Sequence, residues 1–194
     1  MIALCDLGLE NLKRLQRMFE HLGYMAIITS DPQEISCCDC VVLCGRGSIM
    51  QGFKALKKSK LDKLIPEMAK KGRGIIGIGL GAHLLCRKCE EEGWYKGMEL
   101  VPLDVVSGKE MEGFLLTRGS GELSGLDTAL YYAQSGFVRE GEGDATASFN
   151  GEFISAKING NVVALWFYPH KSGEDGINVM SAVLKSAERN GGAI

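Results

Sequence analysis

Ile75-Ile76-Gly77-Ile78-Gly79-Leu80-Gly81-Ala82-His83-Leu84-Leu85 predicts a buried strand, a sharp glycine-rich turn and the start of a helix. A strand, turn and helix of this kind present a nucleophile at the tip of the turn, beside backbone N–H groups that hold an oxyanion. The residue at the tip is Gly79, where such a site needs Cys or Ser. The stretch therefore has the form of a reactive turn that lacks its reactive atom.

Short apolar strands alternate with helices through the first half of the chain. The predicted strands are Ile2–Asp6, Tyr24–Thr29, Cys40–Cys44 and Ile75–Ile78. The predicted helices are Asn11–Leu22, one that starts at Asp31-Pro32, Leu56–Lys71 and one that starts near Gly81. This alternation predicts a parallel sheet with right-handed crossovers and helices on its faces.

The second half of the chain consists of short strands between glycine turns. The predicted strands are Leu100–Val106, Gly113–Thr117, Leu130–Phe137, Ala145–Phe149, Glu152–Ile158 and Val162–Phe167. Asn159-Gly160-Asn161 predicts a hairpin between the last two strands, and a final helix is expected at about Gly176–Asn190. The predicted fold class is α/β, a mostly parallel sheet flanked by helices with an antiparallel extension in the second half.

Length and composition indicate an ordinary globular protein. We expect 194 residues to form one domain, 1–194, and a hydrophobic content of 45% is enough for a core. A net charge of -2 argues against nucleic acid or an anionic membrane as partner. No apolar run approaches the roughly 20 residues that span a bilayer. A start on an apolar strand and seven cysteines predict a cytoplasmic chain with reduced thiols and no secretory signal.

Four loops are predicted to meet at one site. Ligands of open α/β sheets bind at the carboxyl ends of the strands. The segments that leave such ends are Asp6–Asn11, Gly45–Ser48, Gly79–His83 and Tyr168–Ser172. We therefore expect the side chains of these loops to lie close together.

The motifs in these loops resemble class I glutamine amidotransferases, and most of all the glutaminase subunit of imidazole glycerol phosphate synthase. The matching segments are Asp6-Leu7-Gly8-Leu9-Glu10-Asn11-Leu12, Cys44-Gly45-Arg46-Gly47, Gly77-Ile78-Gly79-Leu80-Gly81, Tyr132-Ala133-Gln134-Ser135 and Phe167-Tyr168-Pro169-His170-Lys171-Ser172-Gly173. The resemblance covers nearly the whole chain. It implies a flavodoxin-like amidotransferase fold, a role in histidine biosynthesis and a cyclase-type (β/α)₈ partner subunit.

The resemblance also implies a Cys nucleophile, a His base and a Glu that orients the base. By position these fall on Gly79, Tyr168 and His170, and all three residues differ from the family pattern. A Tyr with an ordinary pKa of about 10 is a poor base at neutral pH. Three substitutions together predict a pseudoenzyme. We further expect Tyr168 and His170 to hydrogen-bond each other in the vacated site.

Other positions are carried over from the family as substrate-binding or oxyanion-like. They are Gly45, Arg46, Gly47, Leu80, His83, Gln134 and Ser135. His83 either faces the old site or is a polar residue at a helix end. Arg46 either reaches an anion near the helix start at Gly81, or is an exposed loop cation or a plug over the pocket. Whether glutamine or another small molecule occupies the pocket stays open at this point.

The cysteines offer two further interpretations. Cys44 could be a relocated nucleophile deprotonated by His170 or His83, although a buried core thiol is the favoured interpretation. The thiols of Cys37, Cys38 and Cys40 near Cys44 have the spacing of half a zinc site, but a second ligand pair is missing from the sequence. We therefore expect no metal and no cofactor.

Two functions follow from these observations. The first is a non-catalytic subunit that docks on a cyclase-type partner and regulates or stabilises it, with Lys171 and Ser172 facing that partner. The second is an active amidotransferase or another hydrolase that uses Cys44 with His170.

Overall fold

A computed structural model describes residues 1–189, and it contains every strand that the first half of the sequence predicts. In chain order the elements are β1 (Ile2–Cys5), α1 (Lys13–His21), β2 (Ala26–Thr29), α2 (Pro32–Ser36), β3 (Cys40–Gly45), α3 (Ile49–Lys58), α4 (Leu61–Lys70), β4 (Gly74–Gly79), α5 (Leu80–Leu85), β5 (Cys86–Glu91), β6 (Gly93–Lys96), β7 (Val101–Gly119), β8 (Asp127–Phe137), β9 (Ala145–Ser148), β10 (Glu152–Asn159), β11 (Val162–Leu165) and α6 (Gly173–Arg189).

The centre of the sheet is parallel and its far side is mostly antiparallel. The order β2-β1-β3-β4-β11 is parallel throughout, and β10, β9 and β7 continue it in antiparallel pairing. β8 pairs antiparallel with β7, while β5 pairs parallel with β7 and carries β6 at the edge. The predicted fold class is therefore confirmed. The predicted hairpin is also present, because Asn159 pairs with Val162 across a turn in which Gly160 has a φ of 61°.

Alternate residues of the central strands are buried on opposite faces of the sheet. On β3, Val42 and Cys44 pack in the layer that holds α1 and α6. Val41 and Leu43 pack in the layer that holds α2 to α5. A parallel sheet covered on both faces needs strands that are apolar on both sides, which explains the continuous apolar runs in the sequence. None of the helices within residues 1–189 has the length and apolar character that a membrane crossing requires.

The predicted helix Leu56–Lys71 is two helices. The first begins earlier, at Ile49, because the hydroxyl of Ser48 accepts a hydrogen bond from the backbone N–H of Gln51 and caps the helix. The break falls at Lys60, whose φ of 58° is left-handed and cannot continue a helix.

The helix after the glycine turn is shorter than its apolar pattern suggests. It ends at Leu85, and Cys86 and Cys89 lie buried on β5 instead of one helical turn apart. Pairing of β5 with β7 overrides the helical spacing here. The predicted strands Leu100–Val106 and Gly113–Thr117 are parts of the single strand β7, with a register shift between Ser107 and Met111.

The last helix begins at Gly173, three residues before the predicted start. Its predicted end, Asn190, lies outside the described residues.

Helix α5 packs directly on β3 at Gly81. A Cβ at this position would overlap the carbonyl oxygen of Leu43, a backbone atom that cannot move aside. The absent side chain therefore sets the distance between helix and strand and places the glycine turn at the end of the sheet.

Gly81→Ala should lower the free energy of unfolding by about 3 kcal/mol, because the added methyl group forces α5 away from β3. Gly93→Ala is the matched control, since nothing lies within 4 Å of a Cβ built there. Urea unfolding of both variants measures the difference. Equal stability of the two variants would contradict the close contact.

Candidate functional site

The four loops that the sequence predicts to converge do meet at the carboxyl ends of the parallel strands. The backbone N–H of Arg46 donates to the carbonyl of Leu9 at 3.3 Å. The Nζ of Lys171 lies 3.0 Å from a carboxylate oxygen of Glu10. The Tyr168 hydroxyl contacts the end of β3, and position 79 faces that hydroxyl. The prediction of a common site is confirmed.

The turn between β4 and α5 depends on the backbone freedom of Gly79. Its φ of 59° and ψ of -118° reverse the chain in one residue, so that Leu80 is already helical. Glycine adopts this conformation without a Cβ clash, whereas another residue there stores strain of roughly 1–3 kcal/mol. The turn therefore has a positive-φ residue at its tip and no side chain there.

Tyr168 fills the space in front of this turn. Its side chain is fully buried, and its hydroxyl donates to the carbonyl of Gly45 at 2.8 Å and lies 3.3 Å from that of Ala133. A Cβ at position 79 would overlap the Tyr168 hydroxyl. Burial raises the pKa of Tyr168 above its ordinary value, although a hydrogen bond from the Leu80 backbone acts in the opposite direction. The phenol is therefore a structural donor that stays protonated, within hydrogen-bonding reach of the Leu80 backbone N–H.

The expected hydrogen bond between Tyr168 and His170 is wrong. The two rings meet edge to face with centroids 5.9 Å apart, and the hydroxyl is taken by the carbonyl of Gly45 at the end of β3. Both ring nitrogens of His170 are buried and have no hydrogen-bond partner within residues 1–189. Burial, with a contribution from the Lys171 ammonium, lowers the pKa of His170 to about 4. His170 is therefore a neutral ring at pH 7.

The expectation that Ser172 faces a partner is also wrong. Ser172 is 6% exposed, and its hydroxyl donates to the carbonyl of Tyr168 while accepting from the N–H of Tyr131, both at 2.9 Å. Lys171 is only 19% exposed at its side chain and forms an ion pair with Glu10, which is 12% exposed. Both residues hold the loop after β11 in place, because an unpaired polar group in this buried turn would be costly.

Arg46 is engaged with a carboxylate of the protein. Its guanidinium lies 3.0 Å from Glu112 on β7, and the hydroxyl of Tyr131 donates to the same carboxylate. These two donors hold the pKa of Glu112 below its usual range, and the hydrogen bond from Tyr131 has the larger effect. The Arg46 side chain therefore spans the rim of the site instead of reaching an anion at the start of α5.

Two unpartnered polar side chains lie behind this rim. His83 and Gln134 are 4% and 8% exposed, and the Nε2 of His83 and both amide atoms of Gln134 lack a hydrogen-bond partner within residues 1–189. They line a cavity of about 20 Å³ beside Tyr168, which is room for a single water molecule. An open cleft of about 480 Å³ continues outward past Gln134, Ser135 and Glu91.

Glu91 and Glu112 are site residues that the sequence analysis did not single out. Glu91 accepts hydrogen bonds from the backbone N–H groups of Ile49 and Met50, both at 3.1 Å, where its charge complements the start of α3. Glu112 lies 66 positions from its partner Arg46. Contacts over such separations leave no local spacing pattern that could have revealed them.

Cys44 is 2% exposed at the end of β3. Burial, and then the nearby charge of Glu10, raise the pKa of its thiol well above the ordinary value. A thiol in this state supplies almost no thiolate at neutral pH, and the thiolate is the nucleophilic form. Among residues 1–189, no three His, Cys, Asp or Glu side chains come together as a metal site would need.

The pKa of His83 predicts a pH dependence of stability. Burial lowers this pKa from 6.5 to about 4 and outweighs a backbone hydrogen bond to Gly136. The unfolded chain therefore binds a proton that the folded chain excludes, and stability falls as the pH drops from 6.5 towards 4, by about 3 kcal/mol from this group. Urea unfolding at pH 7 and pH 4.5 should show a smaller loss for His83→Gln than for the unmodified chain. The exposed His21→Gln serves as control, and equal losses in all three proteins would contradict the assignment.

No protein-family model matches the chain. Curated relatives match it over nearly their full lengths. The imidazole glycerol phosphate synthase subunit HisH of Oceanobacillus iheyensis is 31% identical over 93% of this chain and 96% of its own. The subunit of the same name from Chlorobaculum tepidum is 30% identical over 93% and 97%.

Solved structures agree on the fold. A glutamine amidotransferase crystal structure superposes with a TM-score of 0.72 at 16% identity, covering 96% of this chain and 98% of that one. The structure of PurLQS from Thermotoga maritima gives a TM-score of 0.72 at 15% identity, covering 95% and 97%. With the class I amidotransferase fold, the glycine turn and the identity to curated relatives all in agreement, this chain belongs to the HisH family of imidazole glycerol phosphate synthase subunits.

Proposed function

We propose that this chain is a HisH-type subunit that does not hydrolyse glutamine and acts through binding to a cyclase-type (β/α)₈ partner. The observation that carries the proposal is the pairing of Gly79 with Tyr168 at the turn. A glutaminase of this family pattern needs a thiol at the first position and a base at the second. Here the first position has no side chain, and the second holds a buried phenol whose pKa is raised.

The packing around the turn supports the absence of glutamine hydrolysis, because it leaves no space for a reactive side chain at position 79. The Tyr168 hydroxyl takes the place that a side chain at position 79 would occupy, and it satisfies the carbonyl of Gly45. The space beside it admits about one water molecule, since the cavity there has a volume of about 20 Å³. An amino-acid substrate therefore has no room to place its amide at position 79.

The relatives and the surface around the site support a role in an assembly. The curated relatives are named as subunits of a synthase. On β7, beside the Arg46–Glu112 ion pair, Phe114 and Leu116 are 58% and 51% exposed. Large apolar side chains that stay in water next to the loops of a site are typical of a surface that a partner covers. We therefore assign the exposed Phe114 and Leu116 side chains, in place of Ser172, to the surface that contacts the partner.

The direct test is ammonia release from glutamine, measured for the chain alone and with the cyclase-type subunit from the same organism. We expect none in either case, together with co-elution of the two chains on size exclusion. The HisH subunit of Chlorobaculum tepidum with its own synthase partner is the positive control.

Ammonia release above that of the buffer would overturn the proposal. Cys44→Ala and His170→Gln would then decide whether the activity uses a relocated nucleophile. Failure of the two chains to co-elute would overturn only the proposed binding to a cyclase-type partner.

A double-mutant cycle tests the pairing of Gly79 with Tyr168. Gly79→Cys should destabilise the chain by about 3 kcal/mol, because strain at a positive φ adds to the overlap with the buried hydroxyl. In the Tyr168→His background the same change should cost at least about 1 kcal/mol less, since the smaller ring vacates the space. Urea unfolding of the four proteins measures the coupling, and strictly additive effects would contradict the contact.

The same variants test the chemistry. Gly79→Cys alone should release no ammonia from glutamine, because no base stands at position 168. The triple variant Gly79→Cys, Tyr168→His and His170→Glu is the one in which activity could return. Activity of the single variant would show that a base other than residue 168 serves the site.

A further inference from the structure

A groove of about 560 Å³ lies on the part of the sheet that β5, β6 and β7 form. Its walls come from these strands and from the segment that follows β8. Among the residues that the structure describes, it shares none of its lining with the cleft or the cavity beside the glycine turn. The groove is therefore a separate place from the site described above.

Strand register brings the charged and aromatic side chains of the groove to one face. Lys88 on β5 lies opposite Asp104 on β7, and β6 carries Trp94 along the other side of β5. The far wall approaches closely because residue 141 is glycine with a φ of 115°. A Cβ on Gly141 would overlap the Cδ2 of Leu103, so the absent side chain lets this segment close the groove.

The indole of Trp94 is an aromatic surface that the chain leaves in water. Trp94 is 54% exposed, whereas the second tryptophan, Trp166, is fully buried. The Nζ of Lys88 lies 4.3 Å from the centre of the Trp94 ring, and this contact between a cation and an aromatic face restrains the indole. A large exposed ring inside a groove is typical of a surface that binds another molecule.

Two cations beside this ring share a single carboxylate. Arg87 donates to both oxygens of Asp104, at 2.7 and 2.8 Å, and the Nζ of Lys88 lies 3.4 Å from one of them. Because the bidentate pair with Arg87 already satisfies this carboxylate, the ammonium of Lys88 keeps donors for another anion. Arg139 and Glu140 add one charge of each sign to the lining, so the groove has one positive charge in excess.

We propose that this groove binds a small planar aromatic carboxylate, with its ring against Trp94 and Val106 and its carboxylate at Lys88. One excess positive charge matches the single negative charge of a carboxylate better than the nearly double charge of a phosphate monoester. An aromatic ring suits the indole because contacts between two rings add to the gain from apolar burial. The inference goes beyond the proposed function and does not depend on it.

Naphthoate is the probe, titrated into the full chain at pH 7 and followed by calorimetry and by the indole N–H signals in NMR spectra. The chain has two tryptophans, so Trp94→Phe identifies which indole signal belongs to which residue. We expect saturable binding that shifts the Trp94 signal. The signal of the buried Trp166 should stay in place and serves as the internal reference.

Side-chain variants test the two contacts separately. Trp94→Ala should raise the Kd by about tenfold or more, and Trp94→Phe should raise it less because an aromatic ring remains. Lys88→Gln should raise the Kd by about threefold, as expected for one exposed charge pair. Trp94 and Lys88 are exposed and Arg87 still pairs with Asp104, so urea unfolding should show folded variants.

Lys109→Gln is the matched control, because it removes one exposed charge from β7 outside the groove. An equal loss of affinity in this control would reduce the binding to general electrostatics and overturn the proposal. Absence of saturable binding, or unchanged affinity in Trp94→Ala, would do the same.

Two further ligands test the chemical class. Naphthol lacks the carboxylate and acetate lacks the ring, and both should bind more weakly than naphthoate. Naphthol binding as tightly as naphthoate would overturn the assignment of a carboxylate. Ammonia release from glutamine would overturn the proposed function and leave this binding result unchanged, so the two failures are distinguishable.

Discussion

The buried hydroxyl of Tyr168 joins three separate parts of the chain at the carboxyl ends of the parallel strands. It donates to the last carbonyl of β3 at Gly45, approaches the carbonyl of Ala133 on β8, and faces the turn at Gly79. A buried hydroxyl must keep such a partner, since losing it would cost about 1–3 kcal/mol. The loops of the site are therefore arranged around a phenol that stays neutral.

The position of the Tyr168 phenol explains why residue 79 is glycine. A side chain there would need both a strained backbone and the space that the phenol already occupies. Glycine removes both costs, so the turn keeps its conformation with no side chain at its tip. The same reasoning explains why placing a thiol at position 79 involves position 168 as well.

Charge is distributed differently on the two sides of His170. On the side of the glycine turn, Arg46 and Lys171 are each held by a carboxylate, and these ion pairs close the rim. On the other side, Arg14 and Arg17 have no such partner within residues 1–189. The exposed Arg46–Glu112 pair adds little stability, whereas the Lys171–Glu10 pair is largely buried.

Local patterns in the sequence determined the alternation of strands and helices, the hairpin at Gly160 and the glycine turn, because periodicity and glycine positions act over a few residues. Tertiary structure alone decided the partners of the site residues. Tyr168 bonds a carbonyl 123 positions away, and Lys171 pairs with a carboxylate 161 positions away. The short α5 and the long β7 were likewise decided by pairing between distant strands, since backbone hydrogen bonds across a sheet outweigh the weak local preference of an apolar run.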